Sequence, residues 1–493
     1  MTSHFPILQV VLPLIAAPLI ILVRRGAIAW LIAVAVSAAA FAIAATLFVQ
    51  TGRGEVISYA IGSWPPPWGI EYRIDAANAF VLLLVSGMGL VVAVYSRESV
   101  AAELPQEQHY LFYAMYALCL AGLLGMTATG DAFNIFVFME ISSLSMYVLI
   151  ALGRDRRALM ASYQYLVMGT IGATLFVIGV GLLYLLTGTL NLADMAARLP
   201  HDTQPRSIVA ALAFITVGLS LKLALFPLHL WLPNAYAYAP SAVTAFVAAT
   251  ATKVSIYVLL RFYYAVFGAG FVFESLPFAE VLQILSVAAM FGASTVAIFQ
   301  HDVKRMFAYS SVAQIGYITL GICMGSASGL TAGLVHLFNH ALTKGALFLL
   351  LGGIALRLGK AVRFDAIAGI GRVMPFTSFG IVLGGLSLIG VPLTAGFVSK
   401  WYLIMAALEQ GAWWLALLIV LSSLLAVVYV WRFVEVAYFR APSSAIAALR
   451  EAPPSMLALS WLMIAACIYF GLDSALTLGG ASRAAEALMR PLP

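Results

Sequence analysis

Residues Gly218 to Asn234, GLSLKLALFPLHLWLPN, decide the fold. The stretch is apolar enough to lie in a bilayer, yet it holds Lys222, Pro227, His229 and Pro233. A lysine at lipid depth costs about 2.5–3.5 kcal/mol on insertion scales. Pro227 removes a backbone donor and clashes with the preceding turn, so the helix bends or breaks there. Such a break is tolerated in a membrane only where protein or a water-filled cavity satisfies the freed carbonyls. A buried cation beside a helix break is what an ion-conducting site needs. The plainer alternative is a proline kink with a lysine snorkelling to the interface. Lys222 lies well inside the apolar run that begins near Ile208, where snorkelling is hard.

The rest of the chain matches this stretch. Of 493 residues, 63% are hydrophobic and 9% charged, which excludes a soluble domain. Long apolar runs, rather than short alternating ones, exclude a transmembrane barrel. The fold class is all-α polytopic. About 14 apolar runs are long enough to span, near 5–23, 28–50, 76–95, 109–128, 131–152, 161–188, 207–238 (broken), 241–266, 278–300, 304–325, 327–357, 375–408 (broken), 411–439 and 455–476. The first run lacks a basic leader and is followed by Arg24 and Arg25, the order of an uncleaved first helix. The longest polar stretches are 51–75, 194–206 and 441–455. The net charge of +6 is scattered through loops and does not suggest nucleic acid. Cys119, Cys323 and Cys467 stand singly, with no disulfide or metal spacing.

Fifteen of the 26 Lys and Arg residues fall in loops on one side and seven in loops on the other. The positive-inside rule makes the richer side cytoplasmic and places both termini outside, in the cell (inner) membrane. The four left over, Lys222, Lys253, Lys344 and Lys400, lie within spans. Lysine can lose its proton when desolvated, whereas arginine effectively cannot, so four lysines at this depth suggest proton handling. The plainer alternative is that one or two of them sit at helix ends and snorkel, Lys344 and Lys400 being the candidates.

A second interrupted run, Leu388 to Leu403 (LIGVPLTAGFVSKWYL), carries Gly390, Pro392 and Gly396 before Lys400. It lies five spans after the first. Paired interruptions point to an internal repeat of five spans, inverted because five is odd. The chain then divides into N-terminal helices at 1–108, a first repeat at 109–266, an inverted second repeat at 278–439, and a C-terminal loop and last helix at 440–493.

Glu140, in DAFNIFVFMEISSLSMYVLI, is the one acid deep in its span and needs a cation partner, for which Lys222 is the natural candidate. Such a pair is either a switch that lets the lysine release its proton on separation or a static salt bridge. Lys253 lies among small residues in AATATKVSIYVL, which allow close helix approach or leave room for water. His336, His340 and Lys344 follow at spacing four in GLVHLFNHALTKGALFLLL, on one helix face. Two such histidines can relay protons, hold a metal or simply pack; no glutamate of the usual zinc motif accompanies them. Ser142, Ser143, Ser310, Ser311 and Gln314 are candidates to hold bridging water. Glu435 is a candidate mouth residue, or a partner of Arg432 or Arg440.

These residues resemble the antiporter-like subunits shared by respiratory complex I, membrane-bound hydrogenases and Mrp-type multisubunit cation/proton antiporters. The resemblance rests on FMEISS, LKLALFPLHLWLPNAYAYAPSAVTA, ATATKVSIYVLLR, HDVKRMFAYSSVAQIGY, HLFNHALTKGALFL and GVPLTAGFVSKWYL, across about residues 75–440. Within the family the chain is most similar to the Mrp D-type subunits: its length suits them, its last span has a short tail, and position 400 is lysine. The resemblance implies about fourteen helices in two inverted five-helix repeats and proton transfer along a central hydrophilic axis. Glu140 and Lys222 would be the modulating pair, Lys253, His336, His340 and Lys344 the connection, and Lys400 the terminal proton site. It implies other membrane subunits as partners, protons and monovalent cations (Na+ or K+) as cargo, and no cofactor.

Three functions follow. The chain is a proton-translocating subunit of a cation/proton antiporter, or a proton-pumping subunit of a redox complex whose electron carriers sit in other chains, or a structural scaffold. No flavin, dinucleotide or iron–sulfur motif is visible, so the chain supplies no redox chemistry itself. The scaffold predicts that neutralising the buried lysines leaves transport intact.

Overall fold

Apolar runs in lipid must close their hydrogen bonds within themselves, and residues 4–199 and 206–490, which the computed structural model describes, are almost entirely helical. Residues 200–205 of the polar stretch 194–206, and 491–493 of the C-terminal segment, lie outside the described residues. The order is α1 Phe5–Val23, α2 Gly26–Thr51, β1 Ile57–Ala60, β2 Glu71–Ile74, α3 Ala76–Glu103, α4 His109–Ala128, α5 Ala132–Ala151, α6 Arg157–Thr187, α7 Leu192–Arg198, α8 Arg206–Leu223, α9 Trp231–Tyr238 and α10 Ser241–Leu260. Then come α11 Ala269–Phe273, α12 Phe278–Ile298, α13 Val303–Cys323, α14 Ala327–Leu358, α15 Pro375–Ile389, α16 Ala395–Glu409, α17 Trp413–Val434, α18 Ser444–Ala447, α19 Pro454–Leu472 and α20 Ala475–Met489. Among the described residues 13 helices are long and apolar enough to cross a membrane, or 14 when a bent pair ending in α15 is counted as one span. This is a multi-pass membrane protein, as its composition requires.

Both expected breaks are present. The first interrupts the chain between α8 and α9, where Ala224 takes φ 59° and Pro227 follows a cis peptide bond. The freed Leu221 carbonyl accepts the Trp231 indole N–H at 2.8 Å. The second lies between α15 and α16, where Gly390 takes φ 90°, a conformation with little steric cost only for glycine. Here the freed carbonyls of Leu388 and Ile389 accept the Lys400 ammonium at 2.9 and 3.1 Å. One break is closed by a neutral donor and the other by a cation.

The two halves carry the same fastening on opposite faces. Asp131 caps α5 by accepting the Asn134 N–H, and its backbone forms an isolated antiparallel bridge with Asn191, just after α6. Asp302 caps α13 by accepting the Arg305 N–H, and bridges Arg363, just after α14. The hydrogen bonds correspond one for one: Ala132 N–H to Leu190 O and Leu192 N–H to Gly130 O, then Val303 N–H to Val362 O and Phe364 N–H to His301 O. The equivalence fits two inverted five-helix repeats, each containing a broken helix.

Three features were not anticipated. The stretch 51–75 forms a β1–β2 hairpin. A 15-residue helix, α20, packs against α3 and α14 beyond the last span. Arg261, expected in a loop, lies instead within the span Ser241–Val266 and is 4% exposed. The basic residues inside the membrane are therefore not all lysines.

Candidate functional site

The polar side chains of the interior come from α5, α8, α10, α13, α14 and α16. α8 is drawn against α6 by paired glycines: a Cβ on Gly218 would lie 2.6 Å from the Gly172 carbonyl oxygen, and one on Gly172 would lie 2.8 Å from that of Gly218. This close approach sets Lys222, in the last turn of α8, against α5. Its Nζ donates to Ser143 Oγ at 2.8 Å and lies 3.6 Å from a Glu140 carboxylate oxygen. Glu140 Oε1 is buried and has no hydrogen-bond partner, so its compensation is the ion pair alone.

Lys253 lies twelve residues into α10, about 18 Å along its axis. It is 1% exposed and donates to the Ala248 carbonyl and to Thr252 Oγ1. α10 packs along α14, and the Lys253 charge reaches His336, His340 and Lys344. The small residues around Lys253 thus serve close helix approach. His336 and His340 stack with ring centroids 6.1 Å apart. His336 is fully partnered, through Nδ1 to Ser399 Oγ at 2.8 Å and Nε2 to Gln314 Oε1 at 2.9 Å. His340 is buried with neither ring nitrogen hydrogen-bonded. A buried polar group left so costs about 1–3 kcal/mol, and such sites commonly hold ordered water.

Lys344 sits in the middle of α14, fully buried, and donates to the Phe307 carbonyl at 2.8 Å and to Ser310 Oγ. Lys400 is buried too. Besides the two carbonyls ending α15 it donates to Ser423 Oγ at 2.9 Å, and it lies over the Tyr317 ring. Neither lysine snorkels. The end of a helix carries partial negative charge, so Lys400 is held by the α15 dipole as well as by its hydrogen bonds.

Of the residues expected to hold water, Ser143, Ser310 and Gln314 instead bind Lys222, Lys344 and His336 directly. Ser142 and Ser311 bond to their own helix backbone. Glu435 is half-buried and pairs with Arg440 at 3.0 Å. Arg432 turns away to the Ile298 and Gln300 carbonyls.

Sequence reasoning missed two groups. Ser423 and Tyr317 complete the surroundings of Lys400, and no neighbour of Lys400 in the sequence hinted at them; Ser399, beside it in the chain, bonds His336 instead. Arg261 donates to Asp75 at 2.5 Å, to Asn78 at 2.5 Å and to the Tyr257 hydroxyl at 2.8 Å. Asp75 and Asn78 also form the capping box of α3, a D-x-x-N signal that was legible. Every member of that cluster is bonded, so it fastens α3 to α10. On the face with the basic loops, a cavity of about 440 Å³ is lined by Glu103, Arg154, Tyr238, Lys304 and Lys360 among others. Lys304, read as a loop residue, is buried and bonds Ser241 Oγ at 3.2 Å.

Among the described residues no group of three or more His, Cys, Asp and Glu could hold a metal ion. The arrangement is a set of buried ammonium and imidazole groups, most of them partnered by hydroxyls, carbonyls or an amide. Amines and imidazoles are groups of a kind that can accept and release protons.

A family model described as NADH:quinone oxidoreductase/Mrp antiporter, TM, matches residues 129–426. The chain is 45% identical to NADH-quinone oxidoreductase subunit N of Desulforudis audaxviator, over 92% of this chain and 90% of that protein. It is 28% identical to the D-type Na(+)/H(+) antiporter subunit of Bacillus subtilis, over 99% of this chain and 98% of that one. In the structure of the Mrp complex from Dietzia sp. DQ12-45-1b, one chain aligns with a TM-score of 0.90 and 26% identity, covering 99% of this chain and 97% of that one.

Proposed function

Because this chain belongs to the NADH:quinone oxidoreductase/Mrp antiporter membrane family, we propose that it is the proton-translocating subunit of a multisubunit monovalent cation (Na+ or K+)/proton antiporter. The observation that carries the reading is the buried series Glu140, Lys222, Lys253, His336, His340, Lys344 and Lys400. Four lysines in one membrane interior are too expensive for a scaffold. Glu140 and Lys222 act as the switchable pair, Lys253 with the histidines and Lys344 as the connection, and Lys400 as the terminal site. The twin fastenings support dividing the chain into N-terminal helices at 1–108, inverted copies at 109–266 and 278–439, and a C-terminal part at 440–493. The face with the basic loops is cytoplasmic, both termini lie outside, and the membrane is the cell membrane.

The second reading, a proton-pumping subunit of a complex I-like or hydrogenase-like redox complex, is favoured by the 45% identity to an NADH-quinone oxidoreductase relative. Both readings use the same relay and differ in partners. Mass spectrometry of the intact complex, purified in mild detergent, separates them. Hydrophobic partners without redox centres, together with cation-driven collapse of a pH gradient in everted vesicles, support the antiporter. Partners carrying iron–sulfur clusters, nickel or flavin overturn it in favour of the redox pump.

A further inference from the structure

No hydrogen bond among the described residues joins the Glu140–Lys222 pair to Lys253, and three buried tyrosines form a series of neighbours from one to the other. Tyr147 stands on α5, two turns beyond Glu140. Its hydroxyl is buried with no hydrogen-bond partner, near Ser143, which also accepts from Lys222, and within reach of the Glu140 charge. Tyr165, on α6, packs its ring edge-on against Tyr147 with centroids 4.8 Å apart and stacks face to face on Trp231 at 3.8 Å. Its only hydrogen bond from the hydroxyl is a weak one to the Met146 sulfur at 3.5 Å, and it lies within electrostatic reach of both Tyr147 and Tyr236. Tyr236, on α9, is 1% exposed, and its hydroxyl too makes no hydrogen bond. The Thr252 hydroxyl lies beside it, and Thr252 Oγ1 accepts from Lys253 at 3.3 Å.

Buried hydroxyls are almost always bonded, and those of Tyr147 and Tyr236, which make no close hydrogen bond, each have one hydroxyl beside them, Ser143 and Thr252, that extends the series toward a lysine. Two of the three are tied to the segment after the helix break, since Tyr165 stacks on Trp231, which opens α9, and Tyr236 lies within α9. We propose that the hydroxyls of Tyr147, Tyr165 and Tyr236, bridged by water, carry the proton between Lys222 and Lys253. The step needs no ionised tyrosine. A hydroxyl oxygen accepts a proton from the water or ammonium on one side as its own proton passes to the next acceptor. Rotation about the C–O bond then restores it. The lysine that gives the proton becomes a neutral amine and the one that receives it becomes ammonium, so charge and atoms balance. The inference rests on the proposed relay through Lys222 and Lys253.

The test is Tyr236→Phe, which removes one oxygen atom, made in the full complex beside Tyr147→Phe, Lys222→Ala and Lys253→Ala. Assembly is followed on native gels and proton-coupled transport by cation-driven collapse of a pH gradient in everted vesicles. Tyr236→Phe is expected to assemble normally and to slow transport by about 100-fold, the scale of losing one positioned proton-transfer group. Tyr236→His, which restores a donor and an acceptor, is expected to recover part of that rate. Full activity in both phenylalanine variants, with both lysine variants dead, overturns the tyrosine route and leaves the relay standing. Full activity in the lysine variants overturns the relay, and the tyrosine route with it.

Discussion

Removing the Glu140–Lys222 pair one charge at a time, and then together, separates its energetic role from its transport role. The two groups are 3.6 Å apart, with Lys222 3% and Glu140 25% exposed. At an effective dielectric near 20 their attraction is about 4–5 kcal/mol. Glu140→Gln leaves an ammonium with Ser143 as its remaining partner, at a cost of about 3–5 kcal/mol for a broken buried pair. Lys222→Met leaves a carboxylate that is partly exposed and relieves itself by taking up a proton, so its cost is smaller. The double variant Glu140→Gln/Lys222→Met buries no charge and loses neither partner of a surviving one. Thermal unfolding of the purified complex should therefore place the double variant above both single variants. In all three, adding cation should fail to collapse a pH gradient in everted vesicles. A double variant that melts below each single, with losses that add, would mean the contact carries no coupling energy. A double variant that still transports would refute the role assigned to the pair.

Two further outcomes follow from the second break. Lys400→Arg keeps a cation near the Leu388 and Ile389 carbonyls, so the complex should assemble, but arginine does not release its proton; transport in vesicles should fall by about 100-fold, and retained activity would reduce position 400 to a fixed charge. Gly396→Ala would drive a Cβ into the Ser387 carbonyl, an overpacking worth about 1–3 kcal/mol or more; native gels should show less assembled complex, and a normal yield would show that the α15–α16 junction can give way.

What was legible in the sequence was what lipid makes expensive. Lysines and an acid stand out in apolar runs, and prolines and glycines mark where a helix cannot continue, so both breaks and all seven titratable residues could be found. The Glu140–Lys222 contact followed from the need of each for a counter-charge. What escaped was neutral or terminal. Neutral polar side chains are cheap in a membrane helix and leave no mark, so Ser143, Ser310 and Gln314, the partners of Lys222, Lys344 and His336, read as water sites, and Ser423 and Tyr317 beside Lys400 went unseen. Arg261 was misplaced among the loops although it lies inside the apolar run 241–266; its counter-charge, Asp75, comes from another helix and leaves no mark beside it. The hairpin of residues 57–74 was hidden in a stretch rich in proline and tryptophan.

The matched bridges, Asp131 with Asn191 and Asp302 with Arg363, have a mechanical corollary. Each ties the open end of a helix hairpin whose other end is already joined by a short connection, residues 152–156 between α5 and α6 and residues 324–326 between α13 and α14. Both ends of each pair are held, so neither helix can splay from its partner, and each pair is a closed strut beside its half's broken helix.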